Sequence, residues 1–290
     1  MSVASLDTTN ARSPAGVDGA DESIRRSTQR HRRRAARERR VVWAGRIVIL
    51  VVLVGGMKII NARSGDLTMP NPVDVVRRFW EMLRDGSIPR ALGESLIVLG
   101  IGYGLAAVVG VVAGVLLGGS RLAGRIAEPF VHAMNATPRV AFIPLIIVWL
   151  GLRQDAKVAV TWLSAVVPIL VNTTSGIENA DADLTEMARS FGARRRDLFW
   201  RVWVPAALPS ILTGLRVGAS LAILGTVVAE LYTAQAGLGG LMVQASSRFQ
   251  MDRYFAVVLV LMALGVAITS TLRMLERRAA KWRPNPAGNL

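Results

Sequence analysis

Four stretches of the chain, residues 95–120, 158–177, 217–229 and 254–272, contain no charged residue. No other feature restricts the fold as strongly. A helix of about 20 apolar residues crosses the hydrocarbon core of a bilayer, and at that depth backbone polar groups must be satisfied within the helix. The runs predict an all-α polytopic membrane protein. Extending them to their polar borders gives six transmembrane helices, at about 42–60, 94–118, 129–151, 157–176, 206–231 and 254–273.

The net charge of +15 would point to nucleic acid in a soluble chain. In a membrane chain, Lys and Arg collect in cytoplasmic loops. With the N-terminus inside, segments 1–40, 119–128, 177–205 and the tail from 273 carry 10, 2, 5 and 5 basic residues, against 5, 2 and 2 in 61–90, 152–157 and 233–253. The bias predicts cytoplasmic N- and C-termini. Residues 1–40 read as a disordered basic cytoplasmic tail without apolar periodicity, an anchor on anionic lipid rather than a nucleic-acid binder or a cleaved signal peptide. Residues 41–93 hold the first span and an external amphipathic segment, Val73–Leu83, read as lying on the outer surface. Residues 94–275 form the core, with a long loop at 177–205, and 276–290 form a cytoplasmic C-terminal tail. The chain has no cysteine and two histidines, His31 and His132, so thiol chemistry is excluded and no metal site is expected.

Within the core, Gly100, Gly104, Gly110, Gly114 and Gly118 predict close helix packing in span two. Span three is interrupted by Asn135-Ala-Thr-Pro-Arg139 and Pro144, and span four by Pro168, Asn172, Thr173 and Thr174. Each proline removes a helical hydrogen bond, and freed carbonyls are tolerated in a membrane where they face protein or a wet cavity. Arg139, Asn172 and Arg216 are the candidates for a path that attracts an anion. A second reading has Arg216 tying helix ends or loop carbonyls together and Glu230 reaching the outer surface.

The loop at 177–205 reads as two short helices. Asp183-Leu-Thr-Glu186 has capping-box form, Leu184, Met187 and Phe191 share a face, and Gly192 is a C-terminal stop. A second turn, Asp197–Trp203, leads to Pro205. Such a protrusion calls for a protein groove to hold Met187, Phe191 and Phe199; an interfacial helix pair on the headgroups is the plainer alternative.

The run Glu186-Met-Ala-Arg-Ser-Phe-Gly192, then nine residues, then Val202-Trp-Val-Pro205 resembles the EAA loop of binding-protein-dependent ABC importer permeases. Glu186, Ala188, Gly192 and Pro205 match that pattern directly, and Met187 departs from its alanine pair. Thr137–Leu145, Trp149–Gly151, Val167–Thr173, Gly214–Arg216, Val228–Glu230, Ala236–Gly240 and Leu275–Arg278 with Trp282 resemble the nitrate, sulfonate, taurine and bicarbonate branch. The resemblance implies a type I importer permease fold and an ATP-driven import function in the bacterial inner membrane for a small solute, read as an anion, although the same branch also handles neutral or cationic vitamin precursors. It implies two ATPase subunits carrying ATP and Mg, a second permease copy forming a homodimer, and an external solute-binding protein. Glu186, Met187, Ala188, Phe191, Gly192 and Pro205 would couple to the ATPase. The chain lacks a G-x-x-x-x-G-K-[ST] loop and any nucleophile–base constellation, so it is expected to be a non-catalytic subunit without a cofactor. A secondary transporter or channel without ATP is the competing class, but it leaves the 177–205 loop without a purpose, and no inverted repeat is visible.

Overall fold

A computed structural model of the chain describes residues 42–279 except 47, 50, 53, 64, 66–68 and 181. The basic tail at 1–40, most of the C-terminal tail and Trp282 lie outside the described residues. The chain divides into two compact units, 1–63 and 64–290. In the first, the described positions between 42 and 63 are helical, with Arg46 stacked over the Trp43 ring at 5.3 Å.

The second unit begins with α1, Pro72–Arg84. Its start is specified locally. The Asn71 side chain accepts from the Val73 amide at 3.1 Å, and Pro72 occupies the first helical position, where no amide donor is needed. The helix is amphipathic as read, and its apolar residues divide: Val73, Val76, Trp80 and Leu83 are exposed, while one edge packs on protein. Val75 and Met82 are buried in one cluster with Leu238, Met242, Ala256 and Val257, and the Arg78 Nε donates to Asp252 at 2.7 Å. Gly86, at φ +81°, turns the chain into the long helix α2, Ser87–Gly118.

The core of the unit is α2 against α5, Gln154–Glu178, and α5 against α8, Val204–Thr233. The α2–α5 seam repeats every four residues. Gly102, Gly110, Gly114 and Gly118 face Thr161, Ile169, Thr173 and Ile177, and a Cβ on any of these glycines would lie 2.6–2.9 Å from the facing residue. Ala106 and Ala165, both fully buried, fall in the same rows. Of the glycines expected to pack, Gly110, Gly114 and Gly118 lie in this seam, whereas Gly100 and Gly104 have nothing within 4 Å and lie off it. Ala106 completes the row between Gly102 and Gly110. On the other side of α5, Asn172, Ile169 and Ser164 occupy the space left by Gly214, Gly218 and Gly225 of α8. Small residues let backbones approach closely where apolar burial alone gives helices no reason to associate.

Span three is not one helix. α3, Arg121–Ala136, stops before Thr137-Pro138 and is bent by 88° from the segment that follows. The residue preceding a proline is pushed out of the helical region, and Thr137 is extended at φ −80°, ψ 131°. A 3₁₀ turn, Arg139–Phe142, then feeds the short α4, Ile143–Leu150. The remaining elements are α6, Ala182–Ser190, α7, Arg195–Leu198, α9, Leu238–Ser247, and α10, Met251–Ala279. Among the described residues four helices are long and apolar enough to span a membrane, five when the bent pair is counted as one broken span. Every described element is helical, as expected.

Candidate functional site: the Glu186–Pro205 loop and the cavity behind it

α6 starts at Ala182, which sets Asp183 inside the helix rather than ahead of it as a cap. Its end is as read. Gly192 takes φ +79°, the Gly192 amide donates to the Arg189 carbonyl at 2.8 Å, and the Ala193 amide reaches back to the Ala188 carbonyl at 3.1 Å. This pair of bonds is the Schellman closure that a left-handed glycine permits. The chain then re-enters the bundle. Leu198 is 2% exposed, and a π-helical turn over Phe199–Trp203 runs straight into α8. Pro205 is the second residue of α8; because the π turn leads into α8 without a break, its missing amide leaves a carbonyl of that turn without a helical donor.

The loop has two sides. Inward, Phe199 stacks edge-on with Trp200 and Trp203 and lies so close to Gly119 that a Cβ there would come within 2.7 Å of its ring. The Trp203 indole donates to the Thr185 hydroxyl at 3.2 Å, pinning α6 to the start of α8. Outward, Met187 is 54% exposed and Phe191 86%. They are four residues apart, on one helix face, and Glu186 is exposed beside them. Phe199, expected on the outer face with them, is instead turned into the bundle, whereas Met187 and Phe191 are exposed.

Behind α6 is a cavity of about 1480 Å³. Its walls are α3 from Gly124 to Asn135, α5 from Leu170 to Glu178, and Thr185, Glu186 and Arg189 of α6. Both charge signs line it, Arg125 and Arg189 against Glu128, Glu178 and Glu186.

The three candidate path residues lie apart. Asn172 Nδ2 donates to the Pro168 carbonyl at 2.8 Å, a bond within its own helix. Arg216 forms an ion pair with Glu276 of α10 at 2.5 Å, and Thr213 donates to the same carboxylate at 3.3 Å. Arg139 reaches α5 across the break after α3. Its Nη1 meets the Ser164 carbonyl at 3.4 Å and its Nη2 the Asn135 Oδ1 at 3.2 Å. Ser164 is four residues before Pro168, so its carbonyl is the one that Pro168 leaves without a helical donor. The arginine occupies a vacancy made by the proline.

Glu230 does not reach an outer surface; it is 0% exposed. Its carboxylate accepts from the Ser95 hydroxyl at 2.7 Å and the Gly239 amide at 2.9 Å. The Ser95 oxygen accepts in turn from the Leu238 amide at 2.9 Å, Glu94 accepts from the Gly237 amide at 2.8 Å, and Lys157 donates to the Ala236 carbonyl at 3.0 Å. An intramembrane charge costs on the order of 2.5–3.5 kcal/mol on insertion scales, and these bonds offset that cost by organising the α8–α9 turn. Glu94, Ser95, Lys157 and Glu276 were not singled out in sequence. The signal that could have found Glu94 and Ser95 is their position at the start of an otherwise uncharged run.

Comparison with known proteins agrees with this architecture. Residues 106–281 match the family described as "Binding-protein-dependent transport system inner membrane component". A Bacillus subtilis protein named as an aliphatic sulfonates transport permease, SsuC, is 32% identical over 83% of this chain and 86% of its own. The formylaminopyrimidine transport permease protein ThiX of Halalkalibacterium halodurans is 32% identical over 74% of this chain and 86% of its own. The taurine transport system permease protein TauC of Escherichia coli is 28% identical over 74% of this chain and 80% of its own. Among solved structures, inward-facing forms of the MetNI methionine ABC transporter superpose with a TM-score of 0.58 at 19% identity, covering 69% of this chain and 96% of that one; this likeness is one of fold. With the loop, the broken span and the small-residue seams in place, the chain belongs to the inner-membrane permease components of binding-protein-dependent ABC import systems.

Proposed function

We propose that this permease works as a homodimer with two separate ATPase subunits, which bind ATP and Mg, and that α6 is the lever between them. The observation that carries the reading is the exposed Met187–Phe191 face on a helix tied to the bundle by Trp203 and Leu198. An exposed Phe forgoes about 1.5–3 kcal/mol of burial, which a groove in a partner recovers. Closure of the ATPases would push α6, and the Trp203–Thr185 bond with the continuous π-turn into α8 would pass the motion to α8 and α5. Both termini and this loop lie on the cytoplasmic side of the inner membrane in this reading, as the Lys and Arg distribution supports, and an external solute-binding protein delivers cargo to the opposite side. The cargo is a small anion of the sulfonate, taurine, nitrate or bicarbonate type, a reading supported by the relatives named for sulfonates and taurine.

The test is reconstitution of the complex, with its ATPase subunits and binding protein, in proteoliposomes supplied with labelled taurine, ethanesulfonate, nitrate and bicarbonate. Uptake that requires both ATP and the binding protein is expected. Uptake independent of ATP would contradict the reading.

A further inference from the structure

We propose that Arg139 is the anion-holding group of the translocation path, and that it exchanges the Ser164 carbonyl for an oxygen of the solute's anionic head as cargo passes. The inference rests on the reading of the cargo as an anion and assigns the residue that reads its charge.

Position is the first support. The cavity behind α6 extends along α3 as far as Asn135 and along α5 as far as Leu170. Asn135 is itself bonded to the Arg139 guanidinium. Ser164, the other partner, lies six residues beyond Leu170, about 9 Å along the helix. Arg139 therefore stands just past the deep end of the cavity, at the 88° break between α3 and the turn that follows.

Chemistry is the second. A guanidinium has five donors in a planar fork that matches sulfonate, nitrate and carboxylate oxygens. Only two are used here, at 3.4 and 3.2 Å, well outside the roughly 2.7–2.9 Å of a charge-assisted bond. Nε is buried and has no partner. Among the described residues no carboxylate lies within ion-pair reach of Arg139, whereas Arg216 is neutralised by Glu276 at 2.5 Å. The protein holds Arg139 with two neutral dipoles, which orient the cation without cancelling its charge. Pro168 leaves the Ser164 carbonyl without a helical donor, so one of the two dipoles is unshared.

The experiment compares Arg139→Gln, Arg139→Lys and Pro168→Ala in the intact complex of permease, ATPase subunits and binding protein, with taurine, ethanesulfonate, nitrate and bicarbonate as probes. Arg139→Gln is expected to lower uptake about 10- to 100-fold, the worth of a hydrogen bond to a charged group, while ATPase subunits still copurify. Arg139→Lys keeps the charge and recovers part of the uptake. Pro168→Ala gives the Ser164 carbonyl a helical donor and leaves the Arg139 charge in place, so uptake stays near that of the unaltered complex. Unchanged uptake in Arg139→Gln overturns the proposal. So does a Pro168→Ala loss as deep as that of Arg139→Gln, which would make the contact a structural clasp. Failure of both Arg139 variants to assemble also overturns it, by assigning the residue to the fold. If Pro168→Ala alone fails to assemble, the Gln and Lys pair decides. If the unaltered complex takes up none of the four anions, the cargo reading falls and takes the Arg139 role with it. If it takes one up and Arg139→Gln does so equally, only the role falls.

Discussion

Around Glu230 the polar groups answer one another within the chain, whereas around Glu186 the apolar side chains face away from it. The Glu230 carboxylate is fully buried and satisfied by Ser95 and the Gly239 amide. Glu94 and Lys157 hold the neighbouring turn residues Gly237 and Ala236. At the Glu186 end, α6 is held by the Trp203 bond and by chain continuity, and it presents Met187 and Phe191 outward. Two glycines express the same difference. Gly192 at φ +79° has nothing within 4 Å of where a Cβ would sit; Gly237 at φ +94° would place that Cβ 2.0 Å from the Glu230 carboxylate. One region is complete by itself. The other leaves its apolar side chains uncovered.

Substitutions that remove matched features from the two ends should have unequal effects. The largest is expected at the sealed end. Glu230→Ala leaves the Ser95 hydroxyl and the Gly239 amide without their acceptor, at about 1.5–3 kcal/mol for each bond to a charged group, and should lower the thermal unfolding temperature of the purified permease sharply. A melting curve that coincides with that of the unaltered protein would dissolve the contrast. Next comes the glycine pair. Gly192→Ala carries only the left-handed strain of about 1–2 kcal/mol. Gly237→Ala adds a collision with Glu230 in a backbone region reserved for glycine and should be the more destabilising by several degrees. Equal melting temperatures would mean that the sealed end yields easily. Gly192→Val should go further than Gly192→Ala in function rather than stability, separating ATP hydrolysis from uptake. Smallest is Trp203→Phe, which deletes one side-chain bond worth about 1 kcal/mol. It should speed amide exchange in α6 while leaving α9 unchanged; faster exchange in both would show that the two ends are not independent.

What could be read in the sequence follows from how far apart partners stand along the chain. Charge-free runs, the Gly192 stop and the Pro138 break are local, and all three are legible because a few neighbouring residues determine them. The α2 seam was partly legible: Gly110, Gly114 and Gly118 were read as packing residues and do pack, but Ala106 does the same work as a glycine, so Gly102 was passed over for Gly100 and Gly104. Glu230 was misplaced because its hydroxyl partner, Ser95, is 135 residues away. Arg139 was recognised as a charge beside a proline, yet the proline that gives it a partner is Pro168, not Pro138. Phe191 and Phe199 look alike in sequence; Gly119 separates them by accepting one ring. Long-range acceptors and cavities of complementary shape have no local signature.

The most direct measurement is a photo-cross-link from position 191. A benzoyl-phenylalanine placed there in the intact membrane-bound complex replaces a side chain that is already 86% exposed, so the fold should tolerate it. An adduct with an ATPase subunit, lost when the complex is dissociated, is the predicted result. Adducts with lipid alone, in a preparation where ATPase subunits are present and uptake is active, would show α6 lying on the membrane surface and would contradict its role as the coupling lever.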